Sequence, residues 1–193
     1  MRWGIVPFRR LLARLAGGCA AGAALALAPH PAHADTVAEA DARALLQEPI
    51  SVYAVEDMDF GQIALGGNAG QVLIEPAAAP SCTTTGGLVH SGVCTAAEFS
   101  GYNATYSFLR VRRPAGNQIL LTGPGGDTMD VTDLTFASNS TMFELFSNTE
   151  YVRFLVVAAD GLYDFYVGGT LNVAADQTPG VYNGTFEVLV NFN

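Results

Sequence analysis

The amino-acid sequence predicts an all-β protein whose strands form an antiparallel sandwich or barrel. Short segments rich in β-branched and aromatic residues recur along the chain, and several alternate apolar with polar positions. Glycine- and proline-rich turns separate these segments, as at residues 66–68, 114–116 and 123–126. No repeat period and no strand–helix alternation is present, so the pattern favours antiparallel sheets over a parallel α/β fold.

The chain begins with the pattern of a secretory signal peptide over residues 1–34. Residues 1–14 carry four arginines, residues 15–28 form an apolar run, and an A-x-A pattern ends at Ala34. We therefore expect export, with cleavage between Ala34 and Asp35. A membrane anchor is the alternative, but a span needs about 18 apolar residues and this run is shorter. No later segment is apolar enough, so we expect no membrane span after cleavage.

Residues 35–49 form an N-terminal extension for which two conformations remain open. Their composition suits a helix, which Pro49 would end, or a floppy tail. Read as a strand, the extension has a polar face and an opposite face of small apolar side chains, Ala38, Ala40, Ala42, Ala44 and Leu46. Propensity favours the helix, whereas the alternation permits a strand.

Residues 50–193 are expected to form the β-domain. Strands are predicted at residues 50–56, 71–75, 104–112, 118–122, 128–136, 151–158, 163–173 and 185–193. The last of these alternates most clearly, because Phe186, Val188, Val190 and Phe192 share one face. A shift of the apolar phase predicts a β-bulge near Thr132 and Asp133. Thr141 followed by Glu144 resembles a capping box, which predicts one short helical turn.

The charge of the chain excludes one large class of partners. Half of the 193 residues are hydrophobic, and lysine is absent. From Asp35 onward, five arginines face eighteen acidic residues, a net charge of −13. A surface this acidic repels phosphate backbones, so we expect no nucleic-acid partner.

The residues that enzymes use for catalysis are scarce. His90 is the one histidine after the predicted signal peptide, and it lies among Gly, Ser and Thr. No G-x-S-x-G motif is present, and without lysine there is no Schiff base or P-loop lysine. We therefore expect no enzyme activity, no catalytic residue and no cofactor, with His90 an ordinary loop residue.

Two cysteines, Cys82 and Cys94, follow the predicted signal peptide. In an oxidising exported compartment a disulfide is their natural state, and a loop of this size gives roughly 3 kcal/mol of stability. A redox or metal-binding role is the alternative. It lacks a C-x-x-C spacing and a cluster of further ligands, so we expect no metal site here.

The acidic and aromatic residues each permit a binding role. Asp127, Asp130 and Asp133 form one acidic set, and residues 56–59 form another. Either could bind calcium, but neither follows a calcium-loop motif, and a solvated acidic rim explains both. A sugar-binding platform is possible for the aromatics, whose strand spacing favours core packing instead: Tyr102, Tyr106, Phe108, Tyr151, Phe154, Tyr163, Phe165 and Tyr166.

Four motifs carry a resemblance to a known family. They are residues 57–63 (DMDFGQI), 127–131 (DTMDV), 167–173 (VGGTLNV) and 180–192 (GVYNGTFEVLVNF). With them the chain resembles, from about residue 50 onward, the exported bacterial proteins of domain-of-unknown-function family 4402. The departures are the cysteine-bearing insertion at residues 81–94 and the alanine-rich, acidic extension, where family members often begin with an alternating small/β-branched strand.

That family looks like the pilin and spore-coat-U-type subunits of chaperone–usher systems. The resemblance implies an immunoglobulin-like β-sandwich and a fimbrial or surface subunit in the periplasm, cell surface or fimbria of a Gram-negative bacterium. It implies self-association by strand exchange, in which residues 35–49 of one copy complete the sheet of the next. A periplasmic chaperone and an usher are further implied partners. A monomeric binding or adhesion module, for carbohydrate, is the alternative function.

Overall fold

The computed structural model describes residues 51–192, and within them the chain is built from β-strands and two short 3-10 turns. The strands, in chain order, are β1 (Ser51–Glu56), β2 (Gln62–Ala64), β3 (Gly70–Ile74), β4 (Cys82–Thr84), β5 (Val89–Ser91), β6 (Ala97–Tyr102), β7 (Phe108–Arg112), β8 (Ile119–Thr122), β9 (Thr128–Ser138), β10 (Met142–Ser147), β11 (Tyr151–Val156), β12 (Leu162–Val173) and β13 (Leu189–Phe192). The predicted signal peptide, its cleavage site at Ala34 and Asp35, and the alternating residues of the extension lie outside the described residues.

The larger sheet has seven strands arranged around β12, whose twelve residues make it the longest strand. One edge of β12 pairs with β6 and then with β3, and the other edge pairs with β9. β1 continues the sheet beyond β6, β4 beyond β3, and β8 beyond β9. All of these pairings are antiparallel.

The smaller sheet has four antiparallel strands in the order β10-β11-β7-β13. Every second residue of β7 and β11 points inward, and Leu109, Val111, Val152 and Phe154 are completely buried. They pack against the inward residues of the larger sheet, among them Phe165, to form the core. A separate two-stranded ribbon joins β2 to β5.

The all-β sandwich predicted from the sequence is confirmed. The predicted bulge is also present: Asp133 has a φ of 52°, and the β9–β12 register shifts between Gly168 and Thr170. Gly101 of β6 lies unusually close to the neighbouring backbone, because a Cβ atom on it would lie 2.1 Å from the carbonyl oxygen of Ser51. This close approach requires glycine, because any larger residue would push β1 away from β6.

The predicted helical turn at residues 141–146 is wrong, because this segment is strand β10. The Asn139 side chain accepts a hydrogen bond from the Thr141 backbone amide at 2.8 Å, so the apparent helix cap is a hairpin turn between β9 and β10. Met142 and Phe143 then pair with Val156 and Leu155 of β11. Cross-strand pairing thus outweighs a local capping signal that only Thr141 and Glu144 carry.

The predicted strand boundaries differ from the structure at two places. Residues 104–107 form a turn before β7, and the C-terminal strand begins at Leu189 instead of residue 185. Asn183 lies beside Thr122 of β8 in an isolated bridge, so the chain is still crossing from the larger sheet at that point. The sequence pattern also missed β6 and the three-residue strands β2, β4 and β5, which are too short or too polar to show alternation.

Candidate strand-binding groove

Each sheet has one unpaired edge strand next to a terminus of the described chain. β13 pairs with β7 through residues 189–192, and no strand within residues 51–192 lies on its other edge. β1 pairs with β6 and is likewise an edge strand among the described residues. Backbone amides and carbonyls along both edges are therefore available for pairing with a further strand.

The two unpaired edges lie on the same side of the sandwich. Phe186, just before β13, contacts Phe99 of β6 edge-to-face, with ring centroids 6.0 Å apart. The chain entering β13 therefore packs over β6, which is the direct neighbour of β1. We call the space between β1 and β13 the edge groove.

The inward side chains that border the edge groove are incompletely covered. Val52 and Ala54 lie opposite Gly101 and Phe99, so they share the inward face, yet Val52 is 38% exposed and Ala54 is also exposed. All four inward residues of the C-terminal segment are only half-buried: Phe186, Val188, Val190 and Phe192. By contrast, Val111 in the neighbouring β7 is completely buried. The core is therefore open along this one side.

A buried tyrosine holds β1 in place despite its exposure. The Tyr163 hydroxyl of β12 donates a hydrogen bond to the carbonyl oxygen of Ser51 at 2.7 Å, crossing the gap left by Gly101. Burial raises the pKa of the Tyr163 phenol above its ordinary range, and Tyr53 raises it further. The phenol is therefore a donor to β1 throughout the neutral range.

Cys82 and Cys94 form a disulfide with a Cα–Cα separation of 6.1 Å, as predicted. It links β4, an edge of the larger sheet, to the loop that follows β5. The prediction that His90 is a loop residue is wrong, because it lies in β5 and pairs with Ile63 of β2. Its Nε2 atom lies 3.6 Å from the Cys94 sulfur. The two sulfurs and the imidazole lie within 4.8 Å of one another, but the disulfide bond occupies both sulfurs. The loop is thus a covalently closed unit with the imidazole packed against it.

The acidic sets identified in the sequence do not converge. Asp130 is exposed on β9, Asp133 occupies the bulge, and Asp127 accepts a hydrogen bond from Thr178. In the part of the chain that the structure describes, neither this set nor residues 56–59 brings three carboxylates within coordinating distance. The side chains of Asp127, Asp130 and Asp133 are all exposed to solvent.

The aromatic residues divide between the core and the surface, where Phe108 and Tyr151 share the outer side of the smaller sheet with Phe146, whose ring centroid lies 5.6 Å from that of Tyr151. Phe154, Tyr163 and Phe165 are completely buried, and Tyr166 is 7% exposed. Tyr106 is 75% exposed but lies alone on a loop. A concavity of about 570 Å³ beside β3, β9 and β12 has polar walls that include Gln71, Asn172 and Gln177, and no aromatic side chain lines it.

The fold and the groove define an antiparallel β-sandwich with an open side between its first and last described strands. The chain belongs to the family described as "Domain of unknown function (DUF4402)", whose model matches residues 50–192. Neither the curated proteins nor the solved structures contain a match to this chain. Within residues 51–192, no helix has the length and apolarity that crossing a membrane requires.

The sequence pattern showed the apolar face of β13, which borders the edge groove on one side, but not that of β1 on the other. The apolar face of the C-terminal strand was evident from its alternation, whereas Val52 and Ala54 showed only as part of a strand. Three consecutive apolar residues at 53–55 were the available signal, because an edge strand that meets a missing neighbour keeps apolar side chains in solvent.

Proposed function

We propose that this protein is an exported structural subunit that associates with other copies by strand exchange. Residues 35–49 of one copy would add a strand beside β13 of the next copy and cover the edge groove. The observation that carries the proposal is the set of half-buried inward side chains along β13, with an unpaired backbone edge beside them. An added strand would satisfy the backbone groups and bury the apolar side chains in one step.

The composition of the extension supports its role as the added strand. In a strand conformation, its Ala and Leu face would point into the groove and its polar face toward solvent. Small side chains suit a groove whose floor already carries the large rings of Phe186 and Phe192. The extension has fifteen residues, and β13 is four residues long, so length does not limit the pairing.

The proposed compartment is the periplasm, cell surface or fimbria of a Gram-negative bacterium. The signal-peptide pattern of residues 1–34 and the Cys82–Cys94 disulfide support it, because disulfides persist in oxidising compartments. Until a neighbouring copy covers the groove, free subunits would aggregate through its exposed apolar side chains and unpaired backbone. A periplasmic chaperone that lends a strand to the groove, and an usher that exchanges it, are therefore the proposed partners.

The decisive experiment compares the chain from Asp35 onward with a variant lacking residues 35–48. We expect the intact chain to give a ladder of species that resists SDS and collapses on boiling, and the deletion variant to give monomer. A synthetic peptide of residues 35–49 should bind the deletion variant and raise its melting temperature. A monodisperse monomer of full stability, with and without the extension, would refute strand exchange.

A matched pair of substitutions in β13 localises the effect to the groove. Val190→Asp places a carboxylate at an inward position, and Leu189→Asp places one at an outward position that is 55% exposed. We expect the inward change to abolish the ladder and the outward change to leave it intact, because a charge is costly only where the added strand excludes water. Equal ladders from both variants would place the contact elsewhere.

A further inference from the structure

The positive charges of the described chain are confined to one region. Residues 51–192 contain four arginines against fourteen acidic residues. Arg110 and Arg112 of β7 alternate with the completely buried Leu109 and Val111, so they point to the outer face of the smaller sheet. Arg153 of β11 lies directly opposite Arg110 and shares that face.

No outward position of the strands in the smaller sheet carries a carboxylate. Glu144 of β10 pairs with the buried Phe154 and so belongs to the inward side. The outward positions are otherwise aromatic, aliphatic or asparagine: Phe108, Phe143, Phe146, Tyr151, Leu155, Leu189 and Asn191. We call this surface the arginine face.

Two of the arginines on this face are held in fixed positions. The Arg110 guanidinium lies 4.6 Å from the ring centroid of Tyr151, and that of Arg153 lies 4.2 Å from the ring centroid of Phe108. The Nε atom of Arg110 is buried without a hydrogen-bond partner. Stacked guanidiniums of this kind retain N–H donors at their edges for a carboxylate. Arg110 and Arg153 are also a like-charge pair at directly opposite positions, which is unfavourable in an isolated sheet.

The outer face of the larger sheet has the complementary arrangement. Glu56 of β1 lies directly opposite Glu98 of β6, a like-charge pair of the opposite sign. Asp164 of β12 lies on the same face, two residues before Tyr166, and Tyr166 is opposite Glu98. Burial raises the pKa of Tyr166, and the carboxylates of Glu98 and Asp164 raise it further, which reflects the negative potential on this side. We call it the acidic face.

We propose that the arginine face of one copy docks on the acidic face of a second copy. Both like-charge pairs are cross-strand neighbours: Arg110 and Arg153 face each other in a regular ladder, and Glu56 faces Glu98 next to a register shift in β1. Docking would relieve both repulsions at once. The two faces are on opposite sides of one sandwich, so the contact is head-to-tail and can continue from copy to copy. This interface is separate from the edge groove and does not depend on strand exchange.

The first test measures the association of the chain from Asp35 onward, purified as monomer, by sedimentation velocity at two ionic strengths. Because the charged side chains of both faces are half-buried or exposed and so reach solvent, the contact should be screened by salt. We expect reversible, SDS-sensitive association at about 20 mM salt, weakened at least ~10-fold in dissociation constant at about 500 mM. Strand exchange differs in resisting SDS and salt, so either interaction can fail without the other. Association that is absent at low salt would overturn the proposal.

The second test uses charge reversal on each face. Arg110→Glu with Arg153→Glu, and separately Glu56→Arg with Glu98→Arg, should each abolish self-association. An equimolar mixture of the two variants keeps one intact arginine face and one intact acidic face. It should therefore form a one-to-one dimer that does not extend further, an outcome specific to a head-to-tail contact.

A matched control changes the same net charge elsewhere. Asp127→Arg with Asp176→Arg reverses two exposed carboxylates in turns outside both faces, with the same change in net charge as Glu56→Arg with Glu98→Arg, and should leave the directional contact in place. Equal loss in the control would mean that net charge alone governs association, and would overturn the proposal. So would binding of the arginine face to an anionic polysaccharide, with heparin as probe, in the absence of any self-association.

Discussion

The hydroxyl of Tyr163 fastens β1 to the central strand β12 by donating a hydrogen bond to the carbonyl oxygen of Ser51. Its folded-state pKa lies above the value of about 10 for an unfolded tyrosine. Below pH 10 both states keep the proton, so the contribution to stability is complete. Above pH 10 the unfolded chain loses its proton first, and the free energy of unfolding falls by up to about 1.4 kcal/mol for each pH unit.

Tyr163→Phe tests this role. We expect a loss of about 1 kcal/mol at pH 7, because the Ser51 carbonyl loses its partner, together with a shallower decline in stability above pH 10. Urea unfolding at pH 7 to 11 measures both effects. Tyr106→Phe, at an exposed tyrosine, serves as the control and should change neither value. An unchanged alkaline slope in Tyr163→Phe would show that the phenol does not govern this range.

Arg113 differs from the other described arginines because it connects the two sheets. Its guanidinium donates hydrogen bonds to the Leu134 carbonyl of β9 and, at 3.0 Å, to the Ser147 hydroxyl of β10. Its Nε donates to the Asn148 carbonyl at 2.8 Å. Desolvation lowers the pKa of Arg113, whereas the carboxylate of Glu144 raises it. The side chain remains charged, so its hydrogen bonds are of the charge-assisted kind.

Arg113→Met keeps much of the side-chain length but removes every donor. We expect a loss of about 2–3 kcal/mol in the free energy of unfolding, because the carbonyls of Leu134 and Asn148 lose a charged partner. Chemical denaturation monitored by circular dichroism measures the loss. Arg112→Met, at the neighbouring exposed position, should cost less than about 0.5 kcal/mol. Equal costs for the two variants would show that the sheet-to-sheet hydrogen bonds add nothing.

Among the elements, β4 depends most on a covalent link. It has three residues, pairs with β3 alone, and carries Cys82 at its first position. The disulfide closes a segment with a sequence separation of 12, a length for which chain-entropy models give roughly 3 kcal/mol.

Replacing both cysteines, Cys82→Ser with Cys94→Ser, should therefore lower the free energy of unfolding by about 2–4 kcal/mol. Hydrogen exchange should show the loss of protection concentrated in β4 and its partner β3. The same variant provides its own control, because adding dithiothreitol should destabilise the parent chain and leave the variant unchanged. A variant as stable as the parent would mean that the loop is already ordered without the bond.

Strand β10 shows how an element is decided beyond its local signal. Thr141 and Glu144 stand at the spacing of a helix cap, and the sequence alone offers no reason to reject it. In the structure Asn139 closes a hairpin, and β11 provides a full set of backbone partners. A six-residue helix would be marginal in water, whereas a strand joined to a sheet shares its stability.

At the scale of the whole molecule, two surfaces are arranged for contacts of different kinds. The edge groove offers apolar side chains and backbone donors, so a strand seated in it would be held by buried contacts. The arginine and acidic faces carry charged side chains that reach solvent, so salt would weaken any contact between them. The two proposed contacts, a persistent one that resists SDS and a reversible one, would be distinguished by the conditions that break them.

The absence of lysine bears on how the exposed edges of the two sheets behave. Exposed sheet edges are commonly blunted by lysine, and β1 and β13 carry none. Their undefended edges fit the proposed addition of a strand. The negative charge, which argues against a nucleic-acid partner, would also keep free copies of the proposed subunit apart until a specific contact forms.

Alternation and turn residues act locally, so the sequence pattern was enough to predict that the chain forms β-sheets. The bulge at Asp133 and the apolar face ending at Phe192 were readable for the same reason. The tertiary structure was needed to see that β1 and β13 border one open side and that Arg110 lies opposite Arg153. It was also needed to see that the predicted helix cap is a hairpin turn closed by Asn139. These features depend on which distant strands become neighbours, and pairing between distant strands is not written in any local pattern.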